Sequence, residues 1–178
     1  MIYLTTDTHF GHKKMMEYCG RPANFAEIIL ANLQLNTGAD DILIHLGDFC
    51  MGRDAYWHET YFNDFRQAYT PSRNYLILGN HDRKTMKWYL DHGWDAVCDR
   101  MDLYVYGTRV ALSHKPLKDD GSYDINIHGH FHNNAHHAEP EFVAMKSPRQ
   151  VLLAIEDTDY MPVSLQKMIE SFNLSNTK

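Results

Sequence analysis

Three short apolar runs, "IYLTT" (residues 2–6), "DILIHLG" (41–47) and "NYLILG" (74–79), each break off into one polar side chain: Asp7, Asp48 and Asn80. Runs of this length, rich in Ile, Leu and Tyr, fit buried strands. The stretches between them have helical character. "NFAEIILANLQLNTG" reads as a helix with Asn24 as N-cap and Gly38 as terminator. "DAYWHETYFNDFRQAY" reads as an aromatic-rich amphipathic helix closed by Pro71. Strand, helix and strand in alternation make β-α-β units. In an open α/β sheet the carboxyl ends of the strands form the ligand crevice, so the polar residue ending each run is carried to one edge.

The second half changes character. After a helix across "KTMKWYLDHG" come the short strands "AVC", "LYVYG", "RVALSH" and "INIHGH". "VLLAIE" then reads as a strand and "SLQKMIESF" as a last helix capped by Ser164. Alternating elements followed by a run of strands suggest an α/β sandwich rather than a sheet doubly wound throughout. The 178 residues suffice for one core, and no linker or repeat interrupts them, so a single domain over 1–178 is expected.

A net charge of −6 argues against a general nucleic-acid binder, though a local basic groove remains compatible with it. The three cysteines, Cys19, Cys50 and Cys98, are odd in number and never in C-x-x-C, which favours free thiols in a reducing compartment. "MIYLTTDTHF" lacks the basic and long apolar regions of a signal peptide, and nothing reaches transmembrane length. The expected location is the cytoplasm, with no membrane partner.

Histidines supply the rest of the pattern. There are twelve, and several fall at strand ends. Asp7 and His9 are two apart in "DTH", as are His130 and His132 in "GHFH"; His114 ends "ALSH". In an extended segment positions i and i+2 point to the same side, so each pair could reach one cation. The seven residues Asp7, His9, Asp48, Asn80, His114, His130 and His132 are too many for one tetrahedral zinc. They suit two first-row ions sharing a bridging carboxylate. Mixed imidazole and carboxylate ligation favours manganese, with iron, zinc or nickel also compatible. Two such ions, roughly 3.5–4 Å apart, can hold a hydroxide and clamp an in-line displacement at phosphorus.

The ordered set "DTH", "GD", "GNHD", "SH" and "GHFH" resembles the calcineurin-like metallophosphoesterases, in particular small bacterial and phage-type members. The resemblance implies a four-layer α/β/β/α sandwich, two mixed sheets flanked by helices. It implies one ion held by Asp7, His9 and His132 and a second by Asn80, His114 and His130, with Asp48 bridging. It also implies that His81 faces the substrate as a catalytic group, while Asp82 fixes the loop. The expected activity is hydrolysis of a phosphomonoester or phosphodiester in a phosphorylated small molecule or nucleotide. "GDFCMGR" departs from the G-D-x-x-D-R-G of the protein phosphatases, having Met51 and Gly52 where Asp and Arg stand and Arg53 one place late.

Candidate substrate-binding residues are His12, Arg53, Arg83 and Lys115, which lie near ligand residues in sequence and could meet phosphate. His45, His92 and His128 are expected to be ordinary core or surface residues. His136 and His137 are expected in a solvated loop, and the aromatic stretch from Tyr56 to Tyr69 in the core. Two other classes fit the same motifs. A double-strand-break repair type of nuclease also carries D-x-H followed by an apolar residue and Gly, as in "DTHFG", and would take nucleic acid as substrate; the third class is a non-catalytic scaffold on the same fold. Hydrolysis of a nitrophenyl phosphodiester separates enzyme from scaffold, and DNA digestion tests the nuclease.

Overall fold

The structure, a computed structural model, describes residues 1–65, 73–133 and 146–176. Strand β1 (Ile2–Thr5) leads through a short helix α1 (Met15–Tyr18) and α2 (Phe25–Asn36) to β2 (Ile42–His45). Then come α3 (Asp54–Glu59), β3 (Arg73–Ile77), α4 (Met86–Asp91) and β4 (Ala96–Cys98). These four strands pair in parallel, Ile2 opposite Ile42, Ile44 opposite Tyr75 and Leu76 opposite Val97. The short β9 (Val163–Ser164) adds antiparallel beside β1, giving the order β4-β3-β2-β1-β9. The second sheet has the order β5-β6-β7-β8: β5 (Arg100–Val105), β6 (Thr108–Ser113), β7 (Ile125–His128) and β8 (Gln150–Leu152). Its first pair is an antiparallel hairpin, whereas β6, β7 and β8 run parallel.

Two mixed sheets flanked by helices result, and the alternation of side chains along each strand explains why both faces of the first are apolar. Leu4, Ile44, Leu46 and Ile77 face Val110, Leu112, Ile125 and Ile127 of the second sheet. Leu165 and Ile169 of the last helix, α5 (Leu165–Asn176), join this layer. The intervening Leu43 and Leu76 turn to the other face, against Ile29 and Leu33 of α2 and the rings of Tyr61, Phe62, Tyr89 and Trp94. Tyr61 and Phe62 are core residues as expected, whereas Tyr56, expected in the core with them, is exposed at the start of α3.

Several local expectations are corrected. Asn24 precedes α2 but makes no side-chain capping bond; the helix ends at Thr37, whose backbone turns extended (φ −123°, ψ 147°) and whose hydroxyl returns to the Leu33 carbonyl. The helix expected from residue 54 is α-helical only to Glu59 and continues as a π-helix over Thr60–Phe65; Tyr69 and Pro71 lie outside the described residues, as do His136 and His137. "VLLAIE" is strand only to Leu152, and Ile155–Thr158 is a 3-10 turn. Ser164 sits in β9, paired with Tyr3. No helix among the described residues is long and apolar enough to cross a membrane.

His45, His58 and His128 are buried inside this frame, and burial lowers their pKa from 6.5 to about 3, 4 and 4. An unfolded chain protonates such residues near 6.5, whereas the folded chain holds them neutral. As pH falls below 6.5 the unfolded state therefore takes up more protons, and stability drops until the folded-state pKa values are reached. Each residue contributes about 1.4 kcal/mol per pH unit in that window. Urea midpoints of the metal-free protein should fall between pH 6.5 and 4, less steeply in His58→Gln. Parallel curves for the two proteins would show that His58 does not carry its share.

Candidate metal centre

Parallel pairing places the ends of β1, β2 and β3 on one edge, and the turns after β6 and β7 meet them there. The Asp7 N–H donates to the Gly47 carbonyl (2.9 Å), and the Gly129 N–H to the His114 carbonyl (3.0 Å). The Asp7 carboxylate then accepts the His130 N–H at 2.9 Å, joining the two sheets. Beyond the strands the backbone is not extended. Asp7, His9, Asp48, His130 and His132 all have left-handed φ values, between 48° and 75°. Non-glycine residues rarely adopt this region, and Asp and His are among those enriched in it. The side chains at i and i+2 therefore converge through paired left-handed turns, not through the strand pleat expected from sequence. Gly47 (φ 100°) and Gly79 lie back to back: a Cβ on Gly47 would come within 2.6 Å of the Gly79 nitrogen.

Asp48 stands at the centre. Its Oδ2 lies 3.6 Å from His9 Nε2 and 3.5 Å from His114 Nε2, with His81 Nε2 at 3.9 Å. Its Oδ1 accepts the backbone N–H of His81 at 2.8 Å. To one side are Asp7, His9 and His132, and to the other Asp48, His114 and His130; in each trio the potential ligand atoms lie within 4.8 Å of one another. Asn80 joins the second trio, with Oδ1 3.0 Å from His114 Nε2, and His130 Nδ1 is 3.2 Å from the same atom. The other six residues singled out from sequence thus lie around Asp48.

The donor set fits divalent cations. Asp7 Oδ1 and His9 Nδ1 are buried, with no hydrogen-bond partner among the described residues, a state that costs free energy unless something else satisfies it. Burial alone would raise the Asp48 pKa, but the His114 hydrogen bond and charge, with His9, hold it well below the carboxylate range. Burial would lower that of His114, yet Asp48 and Asp7 push it up to about 9. Burial keeps His9 well below 6.5 and, with the charge of His114, takes His130 to about 3. Burial raises the Asp7 pKa, and against burial the Cys19 and Glu156 hydrogen bonds push His132 up to about 10. Anionic carboxylate and neutral imidazole are the forms that ligate metal, so cations would take the place of the protons on His114 and His132.

Asp82 fastens the turns together by accepting the N–H groups of Asp48 (2.7 Å), Phe49 (3.1 Å) and Gly79 (2.8 Å). His81 is about a quarter exposed and lines an open cavity of about 560 Å³ above the cluster. His12 lines it as well, its ring 5.3 Å from that of His9 and 6.2 Å from that of His81. Lys13, Lys14 and Tyr18 add a basic and aromatic rim that the sequence reading did not single out. Arg53, Arg83 and Lys115 are not among the lining residues; the Arg53 guanidinium instead sits 4.3 Å over the Tyr56 ring. His45, His92 and His128 are bound elsewhere, to the Thr8 hydroxyl (3.0 Å), the Trp88 carbonyl (2.7 Å) and the Gly129 carbonyl (2.9 Å). Arg21 and Glu156, absent from any motif, form a buried ion pair against His132.

Comparison with known proteins agrees with this architecture. The profile of the calcineurin-like phosphoesterases matches residues 1–157. The chain therefore belongs to the calcineurin-like phosphoesterase family. It is 28% identical to the uncharacterised protein MJ1445 of Methanocaldococcus jannaschii over 95% of its own length and 89% of that protein. It is also 28% identical to the Gene 66 protein of Mycobacterium phage D29, over 87% of each. Among solved structures, the protein of unknown function AQ665 from Aquifex aeolicus superposes with a TM-score of 0.74 at 27% identity, over 96% of this chain and 98% of that one.

Proposed function

We propose that the chain is a single-domain, dinuclear-metal phosphoesterase that hydrolyses phosphomonoesters or phosphodiesters in the cytoplasm. The observation that carries this reading is the position of Asp48 Oδ2, within 3.6 Å of a ligand nitrogen from each trio. One ion would be held by Asp7, His9 and His132 and the other by Asn80, His114 and His130, with Asp48 common to both. Manganese is the first choice, since imidazole and carboxylate in this mixture suit it. When bound, the pair supplies Lewis-acid polarisation of a phosphoryl oxygen and lowers the pKa of an attacking water.

The chain's own residues do the rest. The left-handed turns at Asp7, His9, Asp48, His130 and His132 hold five of the seven donors in place before any ligand arrives, so little reorganisation accompanies binding. Asp82 fixes the separation of the Asp48 and Gly79 turns through its three accepted N–H groups. His81 faces the cavity with its backbone tied to Asp48, so its Nε2 can carry a proton to a leaving oxygen. His12, on the same wall, is placed to contact the phosphate or its substituent.

The test is reconstitution with manganese followed by hydrolysis of nitrophenyl phosphomonoesters and phosphodiesters. Two equivalents per chain and metal-dependent turnover of at least one ester are expected. A single equivalent with no weaker second site in titration would remove the dinuclear reading. Two bound ions with no turnover on any ester, nucleotide or DNA would favour a scaffold.

A further inference from the structure

We propose that Arg21 and Glu156 are positioning residues that set the affinity of the ion at Asp7, His9 and His132, and so make the two ions unequal. The proposal rests on the two-metal reading above. Glu156 Oε1 accepts from His132 Nδ1 at 3.1 Å, which leaves the opposite ring nitrogen, Nε2, to face a cation. A carboxylate on the far nitrogen of a ligating imidazole fixes its tautomer and raises its basicity. The same oxygen accepts from Arg21 Nε at 2.9 Å and Nη2 at 2.6 Å. Arg21 Nη2 also donates to the Asp7 carbonyl at 2.8 Å, and Nη1 to the Thr8 carbonyl at 3.1 Å. Its side chain is fully buried. One guanidinium therefore grips the left-handed backbone that carries Asp7 and His9, and delivers the carboxylate that orients His132.

In the other trio the His114 ring nitrogen that faces away from Asp48 meets no carboxylate among the described residues. His114 Nδ1 meets the neutral Leu46 carbonyl at 2.9 Å, which orients the ring with far less effect on its basicity. The 3-10 turn at Ile155–Thr158, where sequence suggested a continuing strand, is what turns Glu156 into this place. The Cys19 thiol also hydrogen-bonds His132 and lies within 4.8 Å of the same group. Cys19→Ala therefore serves as the comparison that separates this contact from that of Glu156.

The experiment is manganese titration by calorimetry on wild type, Glu156→Gln and Cys19→Ala, with thermal midpoints of the metal-free proteins. Glutamine keeps an acceptor of the same length and removes only the charge. One of the two ions should weaken by roughly 10–100-fold in Glu156→Gln, with the other within about threefold; the metal-free midpoint should fall, because Arg21 stays buried without its anion. Cys19→Ala should leave both ions within about threefold. Because Glu156→Gln leaves Arg21 without its anion, the double variant Arg21→Met/Glu156→Leu, which buries no lone charge, should show the same selective loss. Equal weakening of both ions, or of neither, overturns the proposal. So does a Cys19→Ala effect as large as that of Glu156→Gln. Should the wild type bind a single ion, the two-metal reading fails on the wild type alone, and the positioning role stands or falls by whether that ion weakens in Glu156→Gln.

Discussion

Asp48→Asn should empty both metal positions and abolish turnover while leaving the fold intact. The carboxylate Oδ2 is the atom that lies near His9 of one trio and His114 of the other. Two divalent cations held by the two trios would repel each other, and the Asp48 charge between the trios would offset that repulsion. An amide of the same shape does not. Asparagine can still accept the His81 N–H through Oδ1, and the Asp48 N–H still donates to Asp82, so the turn loses no backbone anchor. The loss in metal affinity should exceed the roughly 10–100-fold that follows removal of an orienting partner, and should fall on both ions. Asp7→Asn, by contrast, should weaken one. Metal content by emission spectrometry, with far-ultraviolet circular dichroism on the same samples, checks both variants. If Asp48→Asn retained two ions and wild-type turnover, Asp48 would not be shared.

The cluster of candidate ligands was legible because its residues are marked locally. Asp7, Asp48, Asn80 and His114 each follow an apolar run, with His9, His130 and His132 a few residues beyond one, and parallel strands put such ends on one edge. The mechanism of convergence was not legible: Asp7 and His9 take φ 48° beyond the end of β1, a conformation that no residue pattern of period two announces. Glu156 was hidden for a different reason. It is 135 residues from Arg21, and "VLLAIE" carries the apolar pattern of a strand although its second half is a 3-10 turn. Arg53 shows the opposite error. Its nearness in sequence to Asp48 suggested a phosphate contact, but its own left-handed backbone (φ 55°) starts α3 and its guanidinium lies on Tyr56. Sequence distance from a ligand says little once a chain has turned through two left-handed residues.

His81→Ala should separate chemistry from metal binding. The residue's main-chain N–H, not its side chain, ties it to Asp48 Oδ1, and that bond survives the substitution. Its Nε2 is 3.9 Å from Asp48 Oδ2 and its ring lies over the cavity beside His9 and His12. Both ions should therefore remain bound. Turnover should nevertheless fall by roughly 10²–10⁴-fold, the range for losing a general acid or base. The size of the loss should depend on the leaving group. A nitrophenolate departs without a proton, whereas an alkoxide needs one, so activated esters should be impaired much less than alkyl esters. Metal content and rates on both ester types, measured in the same preparations, check this. An equal loss on both would mean that His81 stabilises charge in the transition state without donating a proton. Loss of an ion would make His81 a ligand and displace Asn80 from that role.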